Sequence, residues 1–402
     1  GLTQDPLYVI DGITVAKDQF DNLDASLVES ITFLKDASAA VYGASGDKGV
    51  ILVTTKRGKP GKAIISYSGY YGNTTATVKP KLLSAYDHAK MLNDGYDLNG
   101  TGNGSRFSQA DLNFLQTNPY KSWYDEIWKP SHLMRHTVSV SGGTDKITFF
   151  AGASYYDEDG NFGGISIKKY NIRSGIDAKI SPSVTATISV STDYSKDFRN
   201  TQKSSSTETE DVMMRSLFQT PKWVPLTIRG LPTNWSQASI NTFNPIGLFN
   251  SGDYETSQGQ NLTLNASINY RPAFVKGLTF RVQYGKINNS GDSKQYFPSY
   301  NVYNFVRTGQ NGLLYSDSLP ATGSVTTKVA NTDRLAQGTN YDKSYQLIAS
   351  AEYARRFGKH DIDFLAMAEQ RESESNSYLT YRDGQQIPGI DQMFAFNAAN
   401  TT

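Results

Sequence analysis

The sequence has no cysteine, four histidines, four tryptophans and a formal net charge of only +1, from 39 Lys plus Arg against 38 Asp plus Glu. Without cysteine there is no disulfide framework, no zinc–thiolate site and no iron–sulfur cluster. The near balance of charge argues against a nucleic-acid binder, whose phosphate contacts demand a basic excess. Long apolar runs are missing too: the stretch around residues 149–156 falls far short of the ~18 residues a spanning helix needs. No leader is expected within these residues, since Gly1 runs into a strand-like segment with no basic n-region or apolar h-region. With the abrupt polar end after Phe394 and Phe396, we expect an internal fragment of a longer protein. What the sequence does hold is 25 Tyr, 19 Phe and 34 Gly within a hydrophobic fraction of only 38%. That is too aromatic for a disordered chain. The mixture favours strands and turns.

Residues 1–62 read differently from the rest. Residues 7–10 form a short apolar strand closed by Asp11-Gly12, a strong turn dipeptide. Leu27, Ile31 and Leu34 recur at helical spacing, and Ser26 with Glu29 fits a capping box, so a short helix is expected over 27–35. Gly43, Gly46 and Gly49 precede a buried strand at 50–55. A basic, turn-rich exit follows, with Lys56, Arg57, Lys59 and Lys62.

From Ala63 the period becomes two. Leu262, Leu264, Ala266, Ile268 and Tyr270 alternate with Asn261, Thr263, Asn265, Ser267 and Asn269. Tyr170, Ile172, Ile176, Ala178 and Ile180 alternate with Asn171, Arg173, Asp177 and Lys179. Strict alternation over about ten residues means one apolar and one polar face. About nine such strands start near residues 63, 133, 146, 168, 184, 260, 277, 343 and 360. Their connections alternate between short (142–145, 181–183, 272–276, 357–359) and long (about 74–131, 157–167, 198–258, 291–341). Short periplasmic turns and long extracellular loops are the pattern of an outer-membrane β-barrel, whose apolar face meets lipid and whose polar face lines a wet lumen. A soluble sandwich with one buried face also fits period two, but it has no reason to alternate its loop lengths.

The run PLYVIDG at 6–12 and VESITFLKDASAAVYGASGDKGVILVTTKRGKPGK at 28–62 resembles the plug domain of TonB-dependent outer-membrane transporters, and most of all the SusC/RagA family. SVSGGTDKITFFAGASYYDEDGNF, KKYNIRSGIDAKI, NPIGLF and FGKHDI are similar to that family in order. The matching plug residues include Asp11, Gly12, Lys35, Asp36, Ala37, Tyr42, Gly43 and Gly49. The resemblance implies a mainly β fold: the C-terminal part of an α/β plug over 1–62, then the N-terminal part of a transmembrane barrel over 63–402. In the family a plug fills a 22-stranded barrel, so nine strands alone should make a curved, incomplete open sheet with two bare edges. It also implies energised import of oligosaccharides or peptides in the bacterial outer membrane, with the plug facing the periplasm. The implied partners are the TonB energy-coupling protein (whose box is absent from this fragment), a SusD-like lipoprotein, outer-membrane lipid and the ligand, with no nucleic acid. No enzyme activity, metal or cofactor is implied. The family's usual Arg in its YG-SR stretch is Ser45 here, and its Asn is Lys48, so a plug–barrel ion pair from that Arg is lost or replaced.

Other motifs have plainer readings. The glycine series fits neither phosphate-loop pattern, and Gly43-Ala44-Ser45-Gly46 is no nucleophile elbow. His132 and His136 lie about 13 Å apart on a strand and read as lumen-facing polar residues rather than a zinc pair. Residues 157–161 (DEDGN) lack the closing bidentate Glu of a calcium loop and read as a hairpin tip. The loop aromatics Trp123, Tyr124, Trp128, Trp223, Trp235 and Phe243 are candidate ligand contacts, because rings stack on sugar faces; packing the loops together is the equal alternative. Competing functions are a passive porin or surface adhesin, and a soluble all-β carbohydrate-binding protein. A 60-residue obstruction argues against the porin.

Overall fold

A computed structural model describes residues 5–35, 38–100, 105–200, 212–236, 242–329 and 333–398. Two sheets dominate it. The first has four short strands, β1 (Leu7–Ile10), β2 (Ile13–Val15), β3 (Val28–Leu34) and β4 (Val50–Thr55), in the order β2-β1-β4-β3. Strands β1 and β4 run parallel, and the other pairs are antiparallel. Asp11 and Gly12 alone connect β1 to β2, with φ of 50° and 85°. Two successive left-handed residues suit the twist of a hairpin. A short helix, α1 (Lys17–Asp21), follows β2.

The helix expected over 27–35 is strand β3. Its residues pair with β4, Ile31 against Val53 and Phe33 against Ile51. Val28, Ile31 and Thr32 are β-branched and favour that geometry once a partner strand is present. The cap also moves: Asp24, not Ser26, accepts the Ser26 backbone N–H, and it starts only the single turn Ala25–Leu27.

The second sheet has nine antiparallel strands: β5 (Gly61–Thr74), β6 (Ser131–Gly143), β7 (Ile147–Asp159), β8 (Ser166–Ser181), β9 (Val184–Arg199), β10 (Tyr254–Tyr270), β11 (Leu278–Phe297), β12 (Arg334–Phe357) and β13 (His360–Arg382). Each pairs with its neighbour in sequence, and β5 and β13 are the two unpaired edges of an open sheet. Strands β10 and β12 begin earlier than the apolar alternation indicated, because their outer ends pair through polar residues such as Gln258 with Asp292.

This sheet is inside out relative to a soluble protein. Asn171, Asp193, Asn261, Asn265, Gln283 and Gln346 are buried on the face that carries the small sheet. Ile172, Ile176, Ile188, Leu262, Ile268 and Val282 are exposed on the other, Ile268 by 54%. In water such a face would cost about 1.5–3 kcal/mol per large aliphatic side chain left unburied; against lipid it costs nothing.

The long connections are folded. They hold helices α2 (Ala85–Asn99), α3 (Gln109–Thr117), α4 (Trp123–Ile127), α5 (Val212–Gln219) and α6 (Pro245–Asn250). Ser84, Ser108 and Ser122 cap the first three by accepting the backbone N–H of Asp87, Asp111 and Asp125. Three connections meet in one hydrophobic core that includes Trp123, Met213, Leu217, Phe243, Leu248 and Val302.

Candidate functional site

The polar face of the large sheet forms a concave wall, and the small sheet is fastened to it along most of its width. At β6, Asp24 lies 3.4 Å from Arg135, and Thr137 and Ser26 donate to its two oxygens. The Ser26 and Thr137 hydroxyl oxygens lie 3.0 Å apart. Burial opposes ionisation of Asp24, but the hydroxyls of Ser154 and Ser26 and the charge of Arg135 outweigh it and hold the carboxyl below its usual range. Beside this anchor, Leu27 is fully buried against β7, where Gly152 leaves it room: a Cβ at Gly152 would come within 2.7 Å of the Leu27 side chain.

The β1–β2 turn is held differently. The Asp11 carbonyl accepts from Asn265 of β10 at 3.1 Å and from Gln283 of β11 at 2.8 Å. Its carboxylate accepts from the Thr55 backbone at 2.9 Å and hydroxyl at 2.6 Å, tying the turn to β4. The left-handed conformation favours glycine at position 12, and a Cβ there would come within 2.8 Å of the Gln283 amide and push it aside. Thr14 N–H donates to Gln346 of β12 at 2.9 Å, and Gln19 donates to Asn289 of β11 at 3.2 Å. Arg57 bridges Asp11 and Asp177 of β8, at 3.7 and 3.3 Å.

The remaining motif residues have structural roles. Tyr42 is half-buried against Val9, Ala39 and Val50, and burial pushes its hydroxyl pKa up. Gly43 and Gly49 have φ of 59° and 91°, the second against the Leu34 carbonyl. Lys35 is exposed, its backbone N–H donating to Ser38. Asp36 and Ala37 lie outside the described residues. Ser45 and Lys48 are exposed, while ion pairs across the two sheets come from Asp24 and Arg57 instead.

The structure brings the six loop aromatics into one cluster. Trp123, Tyr124, Trp223 and Phe243 are buried in its centre, and Trp128 and Trp235 pack partly buried against it. The Trp123 indole N–H donates to the Val224 carbonyl at 2.9 Å. The four central rings hold loops together and turn no open face to solvent.

Two other expectations change. His132 and His136 alternate with the inward Arg135 and Thr137, so they point to the outer face and not the lumen; they stack on Tyr71 and Tyr67. Residues 157–159 continue β7, so their carboxylates diverge: Asp157 accepts from Tyr155, Glu158 from Tyr156, and Asp159 meets His132. Among the described residues no cluster of three or more His, Asp or Glu side chains could hold a metal ion.

On the outer face Tyr155, Tyr170 and Tyr194 form a row across β7–β9, with ring centroids 5.0 and 5.9 Å apart. Tyr270 and Phe280 stack at the opposite ends of β10 and β11. On β9 and β10, Tyr194 pairs with Gln260 and Val184 with Tyr270, ten residues along. Ten residues of strand are about 33 Å. At the usual barrel tilt this is about the 25 Å height of an outer-membrane apolar band between its aromatic girdles.

Comparison with known proteins agrees with this architecture. Residues 1–50 match the TonB-dependent receptor plug domain. The chain is similar to TonB-dependent receptor P26 of Formosa agariphila, 31% identical over 187 residues, covering 44% of this chain and 18% of that receptor. It is similar to TonB-dependent receptor SusC of Bacteroides thetaiotaomicron, 30% identical over 167 residues, covering 39% and 16%. Among solved structures, the RagAB peptide transporter superposes with a TM-score of 0.73 at 18% identity, over 100% of this chain and 45% of that one. The chain thus spans less than half the length of the relatives it matches. Receptors of this kind are not enzymes. In its plug segment and in the inside-out sheet that follows, the chain is similar to the TonB-dependent receptors of the SusC/RagA type.

Proposed function

We propose that the chain is part of an energised importer that moves oligosaccharides or peptides across the outer membrane. Residues 1–62 act as plug and 63–402 as barrel wall and external loops. One observation carries this reading: a folded unit is fastened to the polar, inward face of a sheet whose other face is apolar and exposed. An open pore has no use for that unit. TonB would pull on it from the periplasm, and a SusD-like lipoprotein would present ligand from outside. Both partners, and the plug facing the periplasm, are inferred from the family. The choice between glycan and peptide stays open within this reading, since SusC and the RagAB peptide transporter both lie among its relatives.

In this reading Trp128 and Trp235, the partly exposed rings, are the loop aromatics available to a ligand. The buried four hold the loops in place. No covalent step is involved.

The test deletes the full-length gene and measures growth on a panel of glycans and peptides, with and without TonB. Import predicts lost growth on one class, and the same loss without TonB. Unchanged growth on all of them would sink the proposal. Recovery of the full-length protein in buffer without detergent would favour a soluble binding protein instead.

A further inference from the structure

The small sheet is not fastened evenly to the wall. Among the described residues no hydrogen bond or ion pair joins it to residues 184–198 of β9, although it is bonded to β6, β8, β10, β11 and β12. In place of bonds there is a narrow cleft. Asp11, Thr55 and Arg57 line it from the small sheet, and Asp177, Ser191 and Thr263 from the wall. Arg173 of β8 also borders the cleft; it is paired with Asp193 at 3.3 Å, yet its Nε is buried without a partner.

We propose that polar solute crosses the barrel through this cleft, along β9, while the small sheet stays fastened to β6 and β7. This inference rests on the importer reading above. The physical reason is the unequal cost of opening each side. At β6 and β7, Asp24 is buried among Arg135, Thr137 and Ser26, and Leu27 fills the space over Gly152. Gly58 touches the Phe149 backbone so closely that a Cβ there would come within 2.4 Å of it. Opening that side would strand a buried carboxylate and a fully buried leucine.

Beside the cleft the fastenings are of another kind. The Arg57 and Asp177 side chains are 32% and 35% exposed, so water already reaches the pair. The amides of Asn265 and Gln283 are buried but neutral, so giving up their bonds to Asp11 strands no charge. The lining offers hydroxyls, amides and paired charges of both signs beside the apolar Ile10, Val15 and Phe150. That suits a neutral or zwitterionic solute that carries many hydrogen-bonding groups on a partly apolar frame.

The test uses the full-length protein in cells and a membrane-impermeant methanethiosulfonate reagent. These 402 residues hold no cysteine, and any cysteine elsewhere in the full-length protein is first replaced by serine, so introduced ones report alone. Ser191→Cys places a thiol in the cleft, with Thr263→Cys as a second variant should the first fail to fold. Thr137→Cys places one at the β6 anchor. The expected result is labelling of the cleft thiol that is several-fold faster during energised uptake than at rest, loss of uptake once it is labelled, and no labelling at Thr137→Cys. In a second arm Ser26→Cys and Thr137→Cys are joined by oxidation, and the locked protein should import as its reduced form does.

Labelling at Thr137→Cys with the cleft thiols protected would overturn the route. So would a lock that stops uptake until it is reduced. Either result with uptake intact in the unsubstituted protein refutes the route alone. Absence of uptake in the unsubstituted protein refutes the importer reading, and the route with it.

Discussion

Asp24 and Arg135 are 111 residues apart in sequence and 3.4 Å apart in space, where the small sheet meets strand β6. The Asp24 side chain is only 2% exposed, and that of Arg135 is 28% exposed. The pair is therefore an anchor whose buried half cannot be left alone. Asp24→Ala should weaken docking of the small sheet by about 1–3 kcal/mol, below the ~3–5 typical of a fully buried pair because Arg135 keeps some water. Protease protection of residues 5–60 in the detergent-solubilised full-length protein measures it. Removing both charges, with Asp24→Leu and Arg135→Met, should restore part of the loss.

The same carboxyl sets a pH dependence. Its folded-state pKa lies below the ordinary value of 3.8. The ionised anchor therefore contributes its full stability above 3.8 and loses it as pH falls through the lower folded value. Protection of the small sheet should be flat from neutral to mildly acidic pH and decline below that. Asp24→Asn should remove this decline and lower the neutral plateau. A decline of equal size in Asp24→Asn would assign it to other groups.

Ile268 and Asn269 are neighbours on β10 that face opposite sides of the wall. Ile268→Arg should impair membrane insertion, at about 2–4 kcal/mol for a cation in the middle of the lipid-facing band. Asn269→Arg should insert as the parent does. Heat-modifiable migration on gels and outer-membrane yield report both. Equal behaviour of the two would contradict the assignment of faces.

Trp123 is fully buried and bonded to the Val224 carbonyl. Trp123→Ala should destabilise the loop cluster by about 3–5 kcal/mol through lost burial and the cavity it leaves. Near-ultraviolet circular dichroism and loop proteolysis should change, while the nine-stranded sheet persists. If Trp123 served ligand contact alone, binding would fall with the loops still folded.

Gly12 needs a left-handed backbone and close contact with Gln283. Gly12→Ala should cost about 1–2 kcal/mol for the backbone alone, plus displacement of the Gln283 side chain. The turn should then become accessible to protease before the β6 anchor does.

Much of this architecture is legible along the chain. Period two over residues 261–270 and 170–180 separates the two faces, because adjacent strand residues point in opposite directions whatever surrounds them. Alternating short and long connections disclose a wall with two different ends. Asp11-Gly12 names its own turn, since few other dipeptides accept two left-handed residues. The loop helices went unread, although Ser84, Ser108 and Ser122, each followed three residues later by Asp, carry their signal.

Other features are decided only when distant segments meet. Leu27, Ile31 and Leu34 have helical spacing, yet β4 supplies a partner strand and the segment extends. Which polar residues fasten the small sheet depends on which wall residue lies opposite, so Asp24 finds Arg135 and Arg57 finds Asp177 although nothing local links them. Tryptophans that look like ligand contacts in a linear loop become a core once three connections converge on them. Local spacing determined strands, turns and faces, because backbone geometry is a property of neighbours. Anchors, loop core and cleft were left to the tertiary structure, because pairing and burial depend on residues a hundred or more positions away.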